Sequence, residues 1–112
     1  MFFVTMNRIY VQADHGETFE QRFRDRVGAV DQSPGFIRNV VLRPAGQRQA
    51  KDLPAEQPYV VMTFWKSKGD FEAWVGSDAF KKGHARGGTL PKEAFSREGA
   101  LELYEAFLDS AS

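Results

Sequence analysis

The chain has 112 residues, a length that fits one compact domain over residues 1–112. Its 15 basic and 15 acidic residues cancel, so no overall charge favours nucleic acid or an anionic membrane as a partner. It has no cysteine, which excludes a disulfide framework or thiolate nucleophile, and no apolar run of the roughly 20 residues that a membrane span needs.

The first third of the sequence predicts a strand and then a helix. The opening MFFVTMNRIY becomes charged too early for a signal peptide, so we expect a cytoplasmic protein. Residues 2–12 are rich in β-branched and aromatic side chains, which favour a strand. After the turn ADHGE, helical spacing relates Phe19, Phe23, Val27 and Val30. The proline and glycine of QSPG end this helix.

The middle of the chain predicts two further strands and a second helix. The strands are residues 36–43 and 59–66 (YVVMTFWK), and the long polar loop RPAGQRQAKDLPAEQP separates them. In SKGDFEAW, the spacing of Ser67 and Asp70 resembles a capping box and predicts the start of the second helix.

The last third of the sequence has weaker signals. Gly76 interrupts the second helix, and Ser77 is predicted to cap a short further helix that runs to His84. The stretch ARGGTLPKEAFSREG contains glycine, proline and charge without periodicity, which predicts a mobile loop over residues 85–99. Residues 100–108 (ALELYEAFL) alternate apolar and polar side chains and favour a half-buried strand, with a short helix as the alternative.

The element order is therefore β-α-β-β-α-β, the α+β arrangement called ferredoxin-like. One antiparallel sheet would carry both helices on a single face. Its other face would be apolar, and the chain has nothing left to cover it. We therefore expect a homodimer in which two copies press these faces together. The fold alone names no function.

Polar residues in unusual places are the candidates for function. A histidine at a helix end, such as His84, is most often a solvated cap, but histidine is also the usual anchor for haem iron. Asn7 lies within an apolar strand face, either as a structural amide or as a donor reserved for a ligand. Trp74 fits a packed core, and Arg22 and Arg26 fit a solvated charged face.

In combination, these residues resemble a known family. The segments MNR, RFRDR, SPGF and FWKSKGDFEAWVGSDAFKKGH are similar to the IsdG-type haem-degrading monooxygenases of the antibiotic biosynthesis monooxygenase (ABM) superfamily, which are dimeric α/β barrels. The resemblance runs from about residue 2 to residue 85 and, more weakly, to the last strand. The PGF, W-x-S and F-x-x-W patterns mark the fold, whereas Asn7, Trp74 and His84 match the haem-degrading subgroup.

The resemblance implies that haem is both cofactor and substrate, opened with dioxygen and an external electron donor to a linear tetrapyrrole with release of iron. An electron-donating reductase would be a partner. His84 would be the proximal iron ligand, Asn7 a hydrogen-bond donor on the distal side, and Trp74 would press on the porphyrin and bend it. Phe23 would form a cavity wall, and Arg26 would meet a haem propionate or the distal pocket. The loop after His84 would close over the pocket mouth.

Two other functions stay open at this point. One is a cofactor-free ABM monooxygenase that acts on a quinone or polyketide-like aromatic. The other is a non-catalytic dimeric barrel that binds or carries haem. The sequence also departs from the family twice. The loop over residues 44–58 is longer than a hairpin needs, which could alter dimer contacts, and the ARGGTLPKE segment has fewer basic residues than haem propionates favour.

Overall fold

The computed structural model describes residues 1–25, 30–48, 56–81 and 90–110. The strands and helices are β1 (Phe3–Ile9), α1 (Gly16–Asp25), β2 (Phe36–Leu42), β3 (Tyr59–Trp65), α2 (Lys68–Val75) and β4 (Ala100–Glu105). Short 3₁₀ turns are formed by Ala13–His15, Val30–Gln32 and Lys92–Ala94. This order confirms the ferredoxin-like α+β prediction. Among the described helices, none is long and apolar enough to cross a membrane.

The four strands form one antiparallel sheet in the order β2-β3-β1-β4. The register places Phe3 opposite Trp65 and Asn7 opposite Val61. Alternate side chains of a strand share one face, so these four residues lie on the same side of the sheet. That side carries both helices, because Phe3 and Trp65 contact Phe71 of α2.

Helix α1 packs on the sheet through its periodic phenylalanines. Phe19 is buried, and its ring centroid lies 4.6 Å from that of Tyr59 and 4.9 Å from that of Phe23. The periodicity predicts an α-helix through Val30, but Val30 begins a 3₁₀ turn. Val30 lies three residues before Ser33, which precedes a proline and so is disfavoured in the α conformation.

Helix α2 begins where the capping pattern predicts. Ser67 Oγ accepts a hydrogen bond from Asp70 N at 3.2 Å and donates one to Asp70 Oδ2 at 2.9 Å. One turn along, Phe71 packs edge-on against Trp65, whose side chain is 1% exposed. This aromatic cluster fixes α2 over one end of β3, while α1 lies over the other end at Tyr59.

The segment before β4 differs from its prediction as a mobile loop. Within residues 90–99, Ala94 is fully buried and its carbonyl accepts a hydrogen bond from Gln12 N at 2.7 Å. Ser96 N donates to Tyr10 O at 3.0 Å. The mobile-loop prediction is wrong for these residues, because their backbone groups pair with the chain that follows β1. The earlier part of the loop lies outside the described residues.

Strand β4 completes the sheet beside β1. Residues 100–105 form a strand rather than the alternative helix, as alternation of apolar and polar side chains predicts. The strand ends three residues before the predicted limit, although Ala106 N still donates to Phe2 O at 3.0 Å. Beyond it, Phe107 and Leu108 are largely exposed.

Candidate functional site

A cavity of about 760 Å³ lies between the sheet and the two helices. Side chains of all four strands form its floor, including Thr5, Asn7, Asn39, Val61, Thr63 and Leu101. Helix α1 contributes Phe19, Arg22 and Phe23, and helix α2 contributes Phe71, Trp74 and Val75. An aromatic and apolar enclosure with a few polar groups is typical of a binding site for a small hydrophobic molecule.

Asn7 is a polar residue on a central strand of the cavity floor. It is flanked by Val61 of β3 and Leu101 of β4, so it does not occupy an edge position. Its exposed side chain lines the cavity and makes no side-chain hydrogen bond to another described residue. The interpretation as a structural amide therefore fails for the described part of the chain. The carboxamide is available to a ligand.

Trp74 and Phe80 form one wall of the cavity. Their rings meet edge-to-face at a centroid distance of 5.7 Å and an angle of 84°. Between them in the chain, Ser77 Oγ accepts a hydrogen bond from Phe80 N at 3.1 Å and donates one to Trp74 O at 2.6 Å. This confirms Ser77 as the cap of the short helix, which is described over residues 78–81.

The opposite wall comes from α1, where Phe23 lines the cavity as the sequence predicts. Its neighbour Arg22 also lines the cavity, and its Nε is buried with no hydrogen-bond partner among the described residues. The interpretation of Arg22 as part of a solvated face is wrong. The signal was present in the sequence, because Arg22 follows Phe19 by three residues and so shares its helix face.

Two predicted site residues, Arg26 and His84, lie outside the described residues. The described range before Arg26 ends at Asp25, and the described range before His84 ends at Lys81. Among the residues that are described, no cluster of three or more histidine, aspartate or glutamate side chains can hold a metal ion.

One carboxylate fixes α1 to the sheet next to the cavity. Glu20 accepts hydrogen bonds from Arg43 Nε at 2.8 Å and from the Tyr59 hydroxyl at 2.6 Å. These bonds, from Arg43 first and then from Tyr59, lower the pKa of Glu20 to about 2. Burial and the bond to Glu20 raise the pKa of Tyr59 to about 12. The network holds the helix that carries Arg22 and Phe23 in register with the floor.

The fold and cavity define a class, a ferredoxin-like α+β domain with a cavity between its sheet and its two helices. Residues 2–86 match the family described as antibiotic biosynthesis monooxygenase, and the chain belongs to that family.

Known relatives of the chain include haem-degrading proteins. A relative from Mycobacterium tuberculosis named heme oxygenase (mycobilin-producing) is 38% identical over 76 residues, which cover 68% of this chain and 65% of the relative. The match thus spans just under two thirds of the relative's length. A solved structure of the heme-degrader MhuD from M. tuberculosis, with two hemes bound in its active site, is 33% identical, with a TM-score of 0.70. That match covers 96% of this chain and 97% of the other.

Structural neighbours of lower identity show the fold alone. SnoaB, a cofactor-independent oxygenase from Streptomyces nogalater, is 22% identical, with a TM-score of 0.67 over 99% of this chain and 98% of the other. The prediction of an oxidoreductase agrees with the description of the family as a monooxygenase and with the name of the M. tuberculosis relative, a heme oxygenase.

Proposed function

We propose that this protein is a haem-degrading monooxygenase, which binds haem in the cavity and opens the porphyrin to a linear tetrapyrrole with release of iron. The observation that carries the proposal is the convergence of three predicted site residues on one cavity. Asn7, Phe23 and Trp74 come from β1, α1 and α2, and all three line it. The haem-bound relative with 33% identity supports the same ligand.

The side chains in the cavity suit a porphyrin. The cavity volume of about 760 Å³ falls in the usual range of small-molecule sites. Trp74 and Phe23 offer flat apolar surface to the macrocycle. The buried Nε of Arg22 lacks a partner in the described structure, and a haem propionate would supply the carboxylate that it needs. In this proposal Arg26 provides a second guanidinium for a propionate or for the distal pocket.

The residues of the chain have separate tasks in the proposed reaction. Bound haem supplies the iron that activates dioxygen with electrons from an external donor, and its porphyrin is the group oxidised. His84 holds the iron as a neutral imidazole. Asn7 donates a hydrogen bond from the floor, and Trp74 presses on the ring.

The homodimer is part of the same proposal. The face of the sheet away from the helices carries half-buried Met6, Val40 and Met62. On the same face, Arg8 Nε donates to Glu102, and this pair lies beside the apolar centre. A second copy of this face would remove the apolar side chains from water. The cytoplasmic location and the electron-donating reductase also stay predictions.

Titration with hemin tests the proposal. We expect a stoichiometric Soret band that His84→Ala abolishes or shifts. The matched control is His15→Ala, because His15 is the other histidine of the chain and bonds to Asp14 Oδ1 at 3.0 Å instead of lining the cavity. Ascorbate in air should then bleach the band, and mass spectrometry should detect a linear tetrapyrrole.

The outcomes separate the three functions that the sequence leaves open. A protein without a Soret band is not a haem-degrading enzyme, and oxidation of an added quinone or polyketide-like aromatic would then indicate the cofactor-free reaction. A band that persists under ascorbate and air would indicate a haem carrier.

A further inference from the structure

Asn39 and Thr63 form a second polar contact on the cavity floor, separate from Asn7. The register places Asn39 of β2 opposite Thr63 of β3, and Thr63 opposite Thr5 of β1. All three side chains line the cavity. A polar row therefore crosses three strands beneath a ligand site whose walls are mainly apolar.

Thr63 holds the amide of Asn39 in one orientation. Thr63 Oγ1 donates a hydrogen bond to Asn39 Oδ1 at 3.1 Å, which occupies the acceptor of the carboxamide. Threonine is β-branched, so its hydroxyl is restricted in direction. The Nδ2 group of Asn39 has no hydrogen-bond partner within the described ranges. The pair thus presents two oriented N–H donors at the cavity floor.

Asn39 and Asn7 lie too far apart to donate hydrogen bonds to the same ligand atom. Strand β3 lies between their strands, and two strand spacings separate them by about 10 Å across the sheet. A macrocycle that lay along the floor with its centre at Asn7 would have its edge near Asn39.

We infer that Asn39 is a specificity-determining residue, whose amide donates a hydrogen bond to an acceptor oxygen at the edge of the bound tetrapyrrole. The inference rests on the proposed haem-degrading function. The periphery of haem carries acceptor oxygens only on its propionate carboxylates. Ring opening adds carbonyl oxygens at the two cut ends. Propionate oxygens and ring-opening carbonyl oxygens can both accept a hydrogen bond from Asn39. Binding of a closed-ring ligand and of an opened-ring ligand tells the two acceptors apart.

Equilibrium titrations of the full chain with hemin and with biliverdin test the inference. Asn39→Leu removes the donor, and Asn39→Asp keeps an acceptor for Thr63 but replaces the donor by a negative charge. We expect about threefold to tenfold weaker binding for Asn39→Leu, as for a lost hydrogen bond, and a larger loss for Asn39→Asp. If the variants bind hemin more weakly, whether or not they also bind biliverdin more weakly, the partner of Asn39 is a propionate. Weaker binding of biliverdin alone indicates a carbonyl of the opened ring.

Thr63 variants test the orienting contact without changing Asn39. Thr63→Val should weaken binding of the same ligand as Asn39→Leu, and Thr63→Ser should bind that ligand more tightly than Thr63→Val because it keeps the hydroxyl. A Thr63→Val protein with wild-type affinity overturns the orienting role. Asn39 is exposed on an edge strand, and unchanged thermal unfolding of its variants confirms that they fold.

The result for the wild-type protein keeps the two proposals apart. Suppose that the wild-type protein binds hemin, and that Asn39→Leu and Asn39→Asp bind hemin and biliverdin with wild-type affinity. This result overturns the role of Asn39 and leaves the proposed haem function unaffected. Wild type that binds neither ligand overturns the proposed function itself.

Discussion

Tyr59 donates a hydrogen bond of 2.6 Å to Glu20, which joins the first residue of β3 to the middle of α1. The same carboxylate accepts from Arg43, the residue after β2. One side chain thus connects a helix to two neighbouring strands. Because α1 carries Arg22 and Phe23 on the cavity wall, this connection sets the position of that wall over the floor.

The first prediction concerns acid stability. The pKa of Glu20 is about 2 in the folded protein, chiefly because Arg43 donates to it, against 4.5 as its ordinary value. The carboxylate therefore stabilises the fold fully above pH 4.5, and this contribution is lost as the pH falls towards 2. Glu20→Gln should lower the free energy of unfolding at neutral pH, and its difference from wild type should shrink towards pH 2.

Denaturant unfolding at several pH values measures this difference. Glu17→Gln is the matched control, since Glu17 lies in the first turn of the same helix without an ion-pair partner in the described structure. A Glu20→Gln deficit that stays constant with pH would contradict the assigned linkage.

The second prediction concerns the phenol of Tyr59. Tyr59→Phe keeps the ring contact with Phe19 but removes the hydrogen bond to Glu20, so we expect a loss of about 1–2 kcal/mol in unfolding free energy. Burial raises the pKa of Tyr59 from 10.0 to about 12, and the wild-type protein should therefore lose stability as the pH rises through that window. Tyr59→Phe should lack this alkaline loss, whereas Tyr10→Phe should retain it.

The third prediction concerns Arg22, whose buried Nε has no hydrogen-bond partner among the described residues. If its buried Nε meets a propionate, Arg22→Met should weaken hemin binding about tenfold, in the range of a hydrogen bond to a charged group. Arg24→Met removes the same charge from the same helix, but Arg24 pairs with Glu20 at 3.6 Å instead of lining the cavity. Absorbance titration compares the two proteins. Equal losses in both would mean that Arg22 acts only through overall charge.

The fourth prediction separates binding from chemistry at Asn7. Asn7→Leu should bind hemin with near wild-type affinity, because the proposed hydrogen bond of the carboxamide goes to dioxygen on the distal side and not to hemin itself. The rate of bleaching under ascorbate and air should fall on the order of a hundredfold, as when a preorganised donor is removed from an active site. Single-turnover absorbance changes measure this rate. An unchanged rate with unchanged affinity would remove Asn7 from the proposed mechanism.

Local signals in the sequence predict most of the fold. Ser67 and Ser77 both cap helices as their spacing indicates, and the spacing of Phe19 and Phe23 identifies the packed face of α1. Such features depend on residues within one or two turns of each other, which a single sequence displays directly.

Long-range pairing explains what the sequence does not predict. The pairing of Asn39 with Thr63 depends on the register of two strands joined by a long loop, and register cannot be read from one strand alone. The buried position of Ala94 depends likewise on a backbone bond to Gln12, about 80 residues away in the chain. Arg26 and His84 lie outside the described residues, so their roles stay predictions.

The last prediction uses the two serine caps as a matched pair. Ser77→Ala and Ser67→Ala each remove a hydroxyl that accepts from a helix backbone N–H, and each should lower the unfolding free energy by about 1 kcal/mol. Only Ser77 also holds the cavity wall, because it bonds to both Trp74 and Phe80. Ser77→Ala should therefore weaken hemin binding while Ser67→Ala leaves it unchanged. Equal hemin affinity in the two variants, at equal loss of stability, would show that the wall does not depend on this cap.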